Sequence, residues 1–423
     1  MPNDRTLLPA AGADMAAADG RSADGFLQRG TASFRHASLA LGAAGFATFA
    51  SLYCVQPLLP LFSQGFGVSP AGSSLSLSLS TAVLALSMLV AGPISERVGR
   101  ARPMMLSMFA TASLTLLAAA APSWGALLAV RTLLGVALSG VPAIAMAYLA
   151  EEVEPRSVPA AMGIYVGSTA LGGMSGRLLT GVVVDLSSSW RLAMAVTGLL
   201  SLVAAGCFWR WLPPSRRFQP SSRGGASAPL ASYLQHLRDP GLRRLFGTGF
   251  LLMGAFVTMY NYAGYHLMAP PFSLSEAAVG AIFLVYLIGI PASPAFGRLA
   301  GRFGRPKMIA LAALLILLGV AMSLSAHLWL VITGVTVITA GFFGGHAVAS
   351  SGVGARARFA KAQAASLYLF FYYVGSSVIG TAGGLFWSAL GWPGVTAFVA
   401  VLATAALVMA VQTARDVRFR ITR

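Results

Sequence analysis

Apolar residues run along this chain in stretches of roughly twenty, separated by short polar turns, from residue 37 to residue 412. About 20 apolar residues in a helix cross the ~30 Å hydrocarbon core of a bilayer, and so many such stretches cannot share one soluble core. Read against their Pro, Gly and Ser breakers, the runs predict spans near 37–61, 73–95, 103–121, 124–149, 159–184 and 190–211, then 244–268, 276–299, 306–325, 327–350, 362–386 and 391–412. Turns such as Gly65-Phe-Gly-Val-Ser-Pro70 and Ala269-Pro-Pro-Phe-Ser273 divide neighbours. Between the sixth and seventh spans, residues 212–243 turn polar and carry Pro213-Pro214 and Ser221-Ser222, which reads as a cytoplasmic linker. Residues 1–36 read as a disordered cytoplasmic tail without the apolar segment of a signal peptide, and residues 413–423 as a second cytoplasmic tail. The expected fold is an all-α membrane protein: twelve transmembrane helices in two pseudo-symmetric six-helix bundles, 37–211 and 244–412.

Composition agrees, with 57% hydrophobic and 10% charged residues, and excludes a soluble enzyme. A net charge of +17 would suggest a nucleic-acid partner in a soluble chain, but here the basic residues fall between spans. Of the 29 Lys and Arg, all except Arg131, Arg177 and Arg191 lie in the tails, the linker and the even-numbered loops if the N-terminus is inside. Basic loops stay on the cytoplasmic side, so both termini are expected there, in a bacterial inner (plasma) membrane, with lipid rather than nucleic acid as partner. Cys54 and Cys207 sit within apolar runs and imply neither disulfide nor metal site, and no phosphate-binding G-x-x-x-x-G-K-[ST] loop is present. No cofactor is expected.

The chain repeats itself. A shift of 205 residues lays Gly92 on Gly297, Arg97 on Arg302, Gly99 on Gly304 and Arg100 on Arg305; a shift of 208 lays Tyr165-Val-Gly-Ser on Tyr373-Val-Gly-Ser. Two parallel six-span repeats leave a cleft between them at mid-membrane. The twelve spans, the linker and the loop Gly92-Pro-Ile-Ser-Glu-Arg-Val-Gly-Arg100 resemble the major facilitator superfamily, with Glu96 where the family pattern has Asp. Arg131-Thr-Leu-Leu-Gly135 resembles the family's span 4 pattern. Tyr53-Cys-Val-Gln-Pro-Leu-Leu-Pro60 and Gly172-Gly-Met-Ser-Gly-Arg177 are similar to bacterial exporters grouped with arabinose-efflux-permease-like proteins. The resemblance implies a secondary transporter of a small organic solute that works by alternating access, more as an exporter than as an uptake permease. A non-transporting receptor or scaffold of the same fold is the competing class.

Gly92 and Gly99 permit tight turns where span 2 ends and span 3 begins. The resemblance implies that Glu96 faces the start of span 11 in the outward-facing state, and that Arg97 or Arg100 meets Glu151, Glu152 or Glu154 at the end of span 4. That arrangement is a cytoplasmic lock; lipid anchoring is the simpler alternative, and it accounts for the arginines but not for Glu96. Within the bilayer, Arg131 and Arg177 lie at similar depth and each needs a partner or a water-filled cavity. They read either as cavity residues for an anionic solute group or as cations held by helix carbonyls. Tyr53 and Gln56 on span 1, Tyr260 and Asn261 on span 7, and Tyr368 and Tyr372 on span 11 form a candidate substrate wall, the alternative being an interfacial aromatic belt. No carboxylate lies at mid-span, and the Gly-Pro element usual in span 5 of the superfamily's antiporters is missing, so proton coupling lacks those supports. His346 is a titratable group near the end of span 10, and Ser273-Leu-Ser-Glu276 fits a capping box. A monomer is expected.

Overall fold

The structure, a computed structural model, describes residues 25–218 and 227–421. The expected tails and linker therefore fall partly outside the described residues. Span 1 is two helices, Ala32–Tyr53 and Leu59–Phe66; span 2 is Pro70–Val98 and span 3 Ala101–Ala119. Span 4 is Trp124–Leu138 followed by Pro142–Glu152, span 5 Val158–Ser187 and span 6 Trp190–Trp211. Span 7 is Pro240–Met268, and span 8 runs as Glu276–Ile282, a 3₁₀ segment Phe283–Ile288, and Gly289–Phe303. Span 9 is Arg305–Met322 and span 10 Leu328–Arg356, while spans 11 and 12 form Lys361–Ile421, bent at Gly391 (φ 64°, ψ −145°).

Hydroxyl and carboxyl caps set many of the starts. Ser69, Ser123, Ser189 and Asp239 each accept from a backbone N–H of the first turn, and Pro70, Pro142 and Pro240 take the first helical position, where no N–H is needed. Several boundaries differ from the sequence expectation, and the last helix runs on to Ile421, through most of the segment read as the second tail. Span 1 begins at Ala32, because Thr31 accepts from Phe34 N–H at 3.3 Å, so the helix enters the segment read as tail. The linker contains a helix, Ser227–Arg238. Span 8 is capped by Ser275, not Ser273: Ser275 is extended and accepts from Ala278 N–H, whereas Ser273 has φ +48°. The repeat extends to the backbone, since Gly99 and Gly304 turn into spans 3 and 9 with φ 98° and 90°, a region that favours glycine.

Outward-facing side chains such as Leu106 (73% exposed), Leu385 (67%) and Val401 (66%) make an apolar girdle suited to lipid, not water. The loops joining spans 2 to 3 and 8 to 9 define a basic end; the opposite end is the far end. The buried core forks along this axis. One cluster shared by both halves fills the far end and the middle, from Leu52 and Phe62 to Tyr262 and Trp392. At the basic end the core separates into one cluster of the first half, including Phe34, Met108 and Tyr148, and another of the second, including Phe246, Ile309 and Tyr368. Span 5 meets span 8 along Glu276–Ile282 and the 3₁₀ segment, and span 1 meets span 7 through Leu59–Phe66.

Candidate functional site

Span 1 breaks at residues 54–58: Pro57 has no N–H for Tyr53 O, Gln56 N–H turns back to that oxygen at 3.0 Å, and the carbonyls of Ser51 and Leu52 lose the helical donors four residues on. Helix carbonyls freed inside a membrane need other donors. Arg131, fully buried on span 4, supplies them: Nη1 donates to Ser51 O (2.9 Å), Nη2 to Leu52 O (2.7 Å) and Nε to Ser76 O (2.7 Å). Its hydrogen-bonding capacity is thus given to the backbone of spans 1 and 2. These bonds match the reading of Arg131 as a cation held by helix carbonyls.

Arg177 is arranged differently. Its Nε donates to Gln56 Oε1 (2.6 Å) and Nη1 to Gly173 O (2.7 Å), and its guanidinium lies over Tyr53 at 4.0 Å, Tyr286 at 4.7 Å and Phe283 at 4.9 Å. A buried cation on three ring faces is held by quadrupole attraction as well as by hydrogen bonds. It makes no ion pair among the described residues. Because a guanidinium only donates, it fixes the Gln56 amide with oxygen toward Arg177 and nitrogen toward span 7. Gln56 Nε2 accordingly donates to Asn261 Oδ1 at 2.7 Å, leaving the buried Asn261 Nδ2 without an acceptor among the described residues. Gln56 and Asn261 are 205 residues apart, the period of the repeat, so two pseudo-symmetric positions meet where the halves cross.

An aromatic wall continues through the second half. Tyr260 O–H pairs with Thr339 Oγ1 at 2.7 Å and its ring lies 5.1 Å from both Phe283 and Tyr286; Phe256 stacks on Phe342 at 3.8 Å. His346 Nδ1 is 2.9 Å from Tyr368 O–H, and its ring lies 4.8 Å from Tyr372 and 5.9 Å from Phe342. Tyr53, Gln56, Arg177, Tyr260 and Asn261 therefore form one cluster, with Tyr368 and Tyr372 joined to it through His346 and the phenylalanines. Sequence reasoning missed Phe283, Tyr286 and Phe342; a lone tyrosine in the middle of span 8 was the available signal.

At the basic end, Arg100 meets Glu151 through both carboxylate oxygens (Nε–Oε2 3.1 Å, Nη2–Oε1 2.6 Å) and donates to Ser95 Oγ at 2.6 Å. This pair lies wholly within the first half. Glu152 is buried and accepts from Ser215 Oγ (2.7 Å) and Arg217 N–H (2.8 Å) of the linker. Glu96 and Arg97 are exposed and make no hydrogen bond or ion pair among the described residues; Glu96 lies near Tyr233 of the linker helix, whose hydroxyl bonds to Ser366 at the start of span 11.

Residues 41–272 match the Major Facilitator Superfamily. The chain is 47% identical to the inner membrane transport protein YnfM of Escherichia coli (strain K12), covering 91% of this chain and 92% of that one. It is 46% identical to the uncharacterized MFS-type transporter YybF of Bacillus subtilis (strain 168), over 93% and 97% respectively. Among solved structures, a peptide transporter POT in complex with sulfate superposes with a TM-score of 0.75 at 15% identity, over 92% of this chain and 95% of that one. With its forked helical core, its repeated halves and these relatives, the chain belongs to the Major Facilitator Superfamily and is a membrane transporter rather than an enzyme.

Proposed function

We propose that the protein carries a small organic solute across the bacterial inner membrane by alternating access, in the export direction. The observation that carries this reading is the fork: both halves share one core at the far end and separate at the basic end, with Arg177, Gln56 and Asn261 at the crossing point. With basic loops inside, both termini are cytoplasmic and the described conformation faces the cytoplasm. Arg177 without a carboxylate partner and Asn261 with a spare N–H favour a solute bearing an oxygen acceptor or an anionic group, and the surrounding rings favour a planar apolar body. In the opposite conformation Glu96 closes against the start of span 11, while Arg100–Glu151 keeps the loop in place. Every Asp and Glu of the two halves lies near one end or the other, so His346 is the group we assign to any proton coupling; Tyr368, Tyr372 and Phe342 are the side chains facing it.

Flux into and out of proteoliposomes, with and without an imposed pH gradient, tests the reading. Arg177→Gln is expected to lower flux more than tenfold, roughly the >1.4 kcal/mol of one lost charge-assisted contact, while Arg177→Lys keeps a measurable remainder. His346→Gln is expected to abolish the response to the pH gradient and spare counterflow. Absence of solute flux in the wild-type protein with ligand binding retained would instead establish a receptor.

A further inference from the structure

The bases of the two halves are built differently. In the first, the chain fills its own base: Leu27 is fully buried in one core with Phe34, Met104 and Tyr148, donating to Glu152 O at 2.7 Å and accepting from Glu154 N–H at 3.1 Å. Arg217 covers this plug, 3.6 Å from the ring of Phe26. The corresponding base of the second half is hollow. A cavity of about 950 Å³ lies between the starts of spans 7 and 9 and the ends of spans 10 and 12, with the linker helix as a further wall.

Its charge is lopsided. Arg244, Arg305, Arg356 and Arg358 line it against the single acid Asp239. Asp239 is already committed, capping span 7 through Gly241 and Leu242 N–H and accepting from Arg356 Nε at 2.7 Å. Desolvation pushes its carboxyl up, but the Arg356 and backbone hydrogen bonds outweigh this and hold it below the usual carboxylate range, so it stays ionised. Arg305 and Arg358 are exposed and make no hydrogen bond or ion pair among the described residues. Behind the arginines the wall is apolar, with Leu245, Ile309 and Met409. The cover is fixed: His236 of the linker helix stacks on Phe359 at 4.5 Å, and its Nε2 lies 3.2 Å from Ala360 O.

A cationic rim with an apolar floor, set at the boundary between hydrocarbon and water, calls for a ligand that is anionic at one end and apolar at the other. We propose that this cavity binds the phosphate head group of an anionic membrane lipid, with Arg305 and Arg358 on the phosphate and the first part of the acyl chains against Leu245, Ile309 and Met409. Free phosphate would satisfy the arginines but not the floor, so the two sources of phosphate are separable. The inference does not depend on the direction or solute of transport.

Native mass spectrometry of the full-length protein in detergent, supplied with phosphatidylglycerol or phosphatidylcholine, provides the test. Wild-type protein is expected to retain phosphatidylglycerol at least about fivefold over phosphatidylcholine, the size of one arginine contact at a membrane surface. Arg305→Gln with Arg358→Gln should remove that preference, and Ala355→Trp, which fills the cavity and keeps every charge, should do the same. Arg210→Gln with Arg298→Gln, a charge-matched change at two exposed arginines outside the cavity, should leave it intact. Equal retention of both lipids, equal loss in the charge-matched variant, an unaffected Ala355→Trp variant, or displacement of the lipid by inorganic phosphate alone would each overturn the proposal.

Discussion

Span 2 meets span 11 largely through hydroxyl groups, whereas span 5 meets span 8 through glycines and an arginine laid on aromatic rings. By the internal repeat these seams are copies of one another, yet their chemistry has diverged. In the first, Thr81 Oγ1 pairs with Ser377 Oγ and Thr381 Oγ1 donates to Ser78 Oγ, both at 2.7 Å, with Gly384 against the Ala71 backbone at the far tip. Thr81 and Ser377 also have carbonyls of their own helices within reach, Ser78 O at 3.1 Å and Tyr373 O at 2.9 Å. Separating these helices therefore strands neither hydroxyl, which suits a joint that opens and closes. In the second seam a Cβ on Gly181 would come within 2.6 Å of Glu276 O and 3.1 Å of Gly280 Cα, so contact there is backbone on backbone. Apart from the close approach at Gly384, the first seam tolerates adjustment; the second depends on shape.

The sharpest way to break this comparison is Gly181→Val. A branched side chain facing a backbone carbonyl cannot be accommodated by a rotamer change, so the far end should fail to close. Flux should fall more than tenfold, about 1.4 kcal/mol or more, and a thiol introduced at the buried Val279 should become open to labelling. Unchanged labelling would mean that the glycine seam does not hold the far end shut. A smaller effect is expected from Glu96→Gln, at the basic end of span 2. Since a solvent-exposed ionic contact contributes up to ~1 kcal/mol, flux should change by no more than about fivefold, with thiols in the inner cleft becoming more accessible. Wild-type flux and accessibility would leave the loop with an anchoring role alone. Smallest of all should be Thr81→Val with Ser377→Ala, expected to stay within about twofold in flux because a neutral hydrogen bond with fallback acceptors contributes well under ~1 kcal/mol. A tenfold loss would show that the hydroxyl seam is as demanding as the glycine seam.

Much of the fold was legible because hydropathy and charge placement act over whole spans: twenty apolar residues fix a crossing, and repeated glycines and arginines expose the duplication. Side-chain direction was not legible. Arg131 and Arg177 occupy similar depths in similar surroundings, and nothing in the run of residues indicates that one is committed to carbonyls left open by the break in span 1 while the other rests on rings. The capping box at Ser273 matched in sequence, but the chain turns with positive φ there and caps two residues later. Tyr286 went unread because span 8 was treated as regular helix, whereas its 3₁₀ segment carries that ring to Arg177. The basal cavity draws its arginines from three separate segments, a convergence with no linear signature.

The Gln56–Asn261 contact bears on ancestry. In a dimer of identical subunits, an axis through two equal amides leaves neither with a reason to be the giver, and each would do so half the time. Joining the subunits into one polypeptide lets the two positions differ: here one is longer by a methylene and is aimed by Arg177, a cation that its counterpart lacks. The polarity of the crossing point then becomes an inherited trait rather than a fluctuation, and a solute arriving there meets a left and a right that differ.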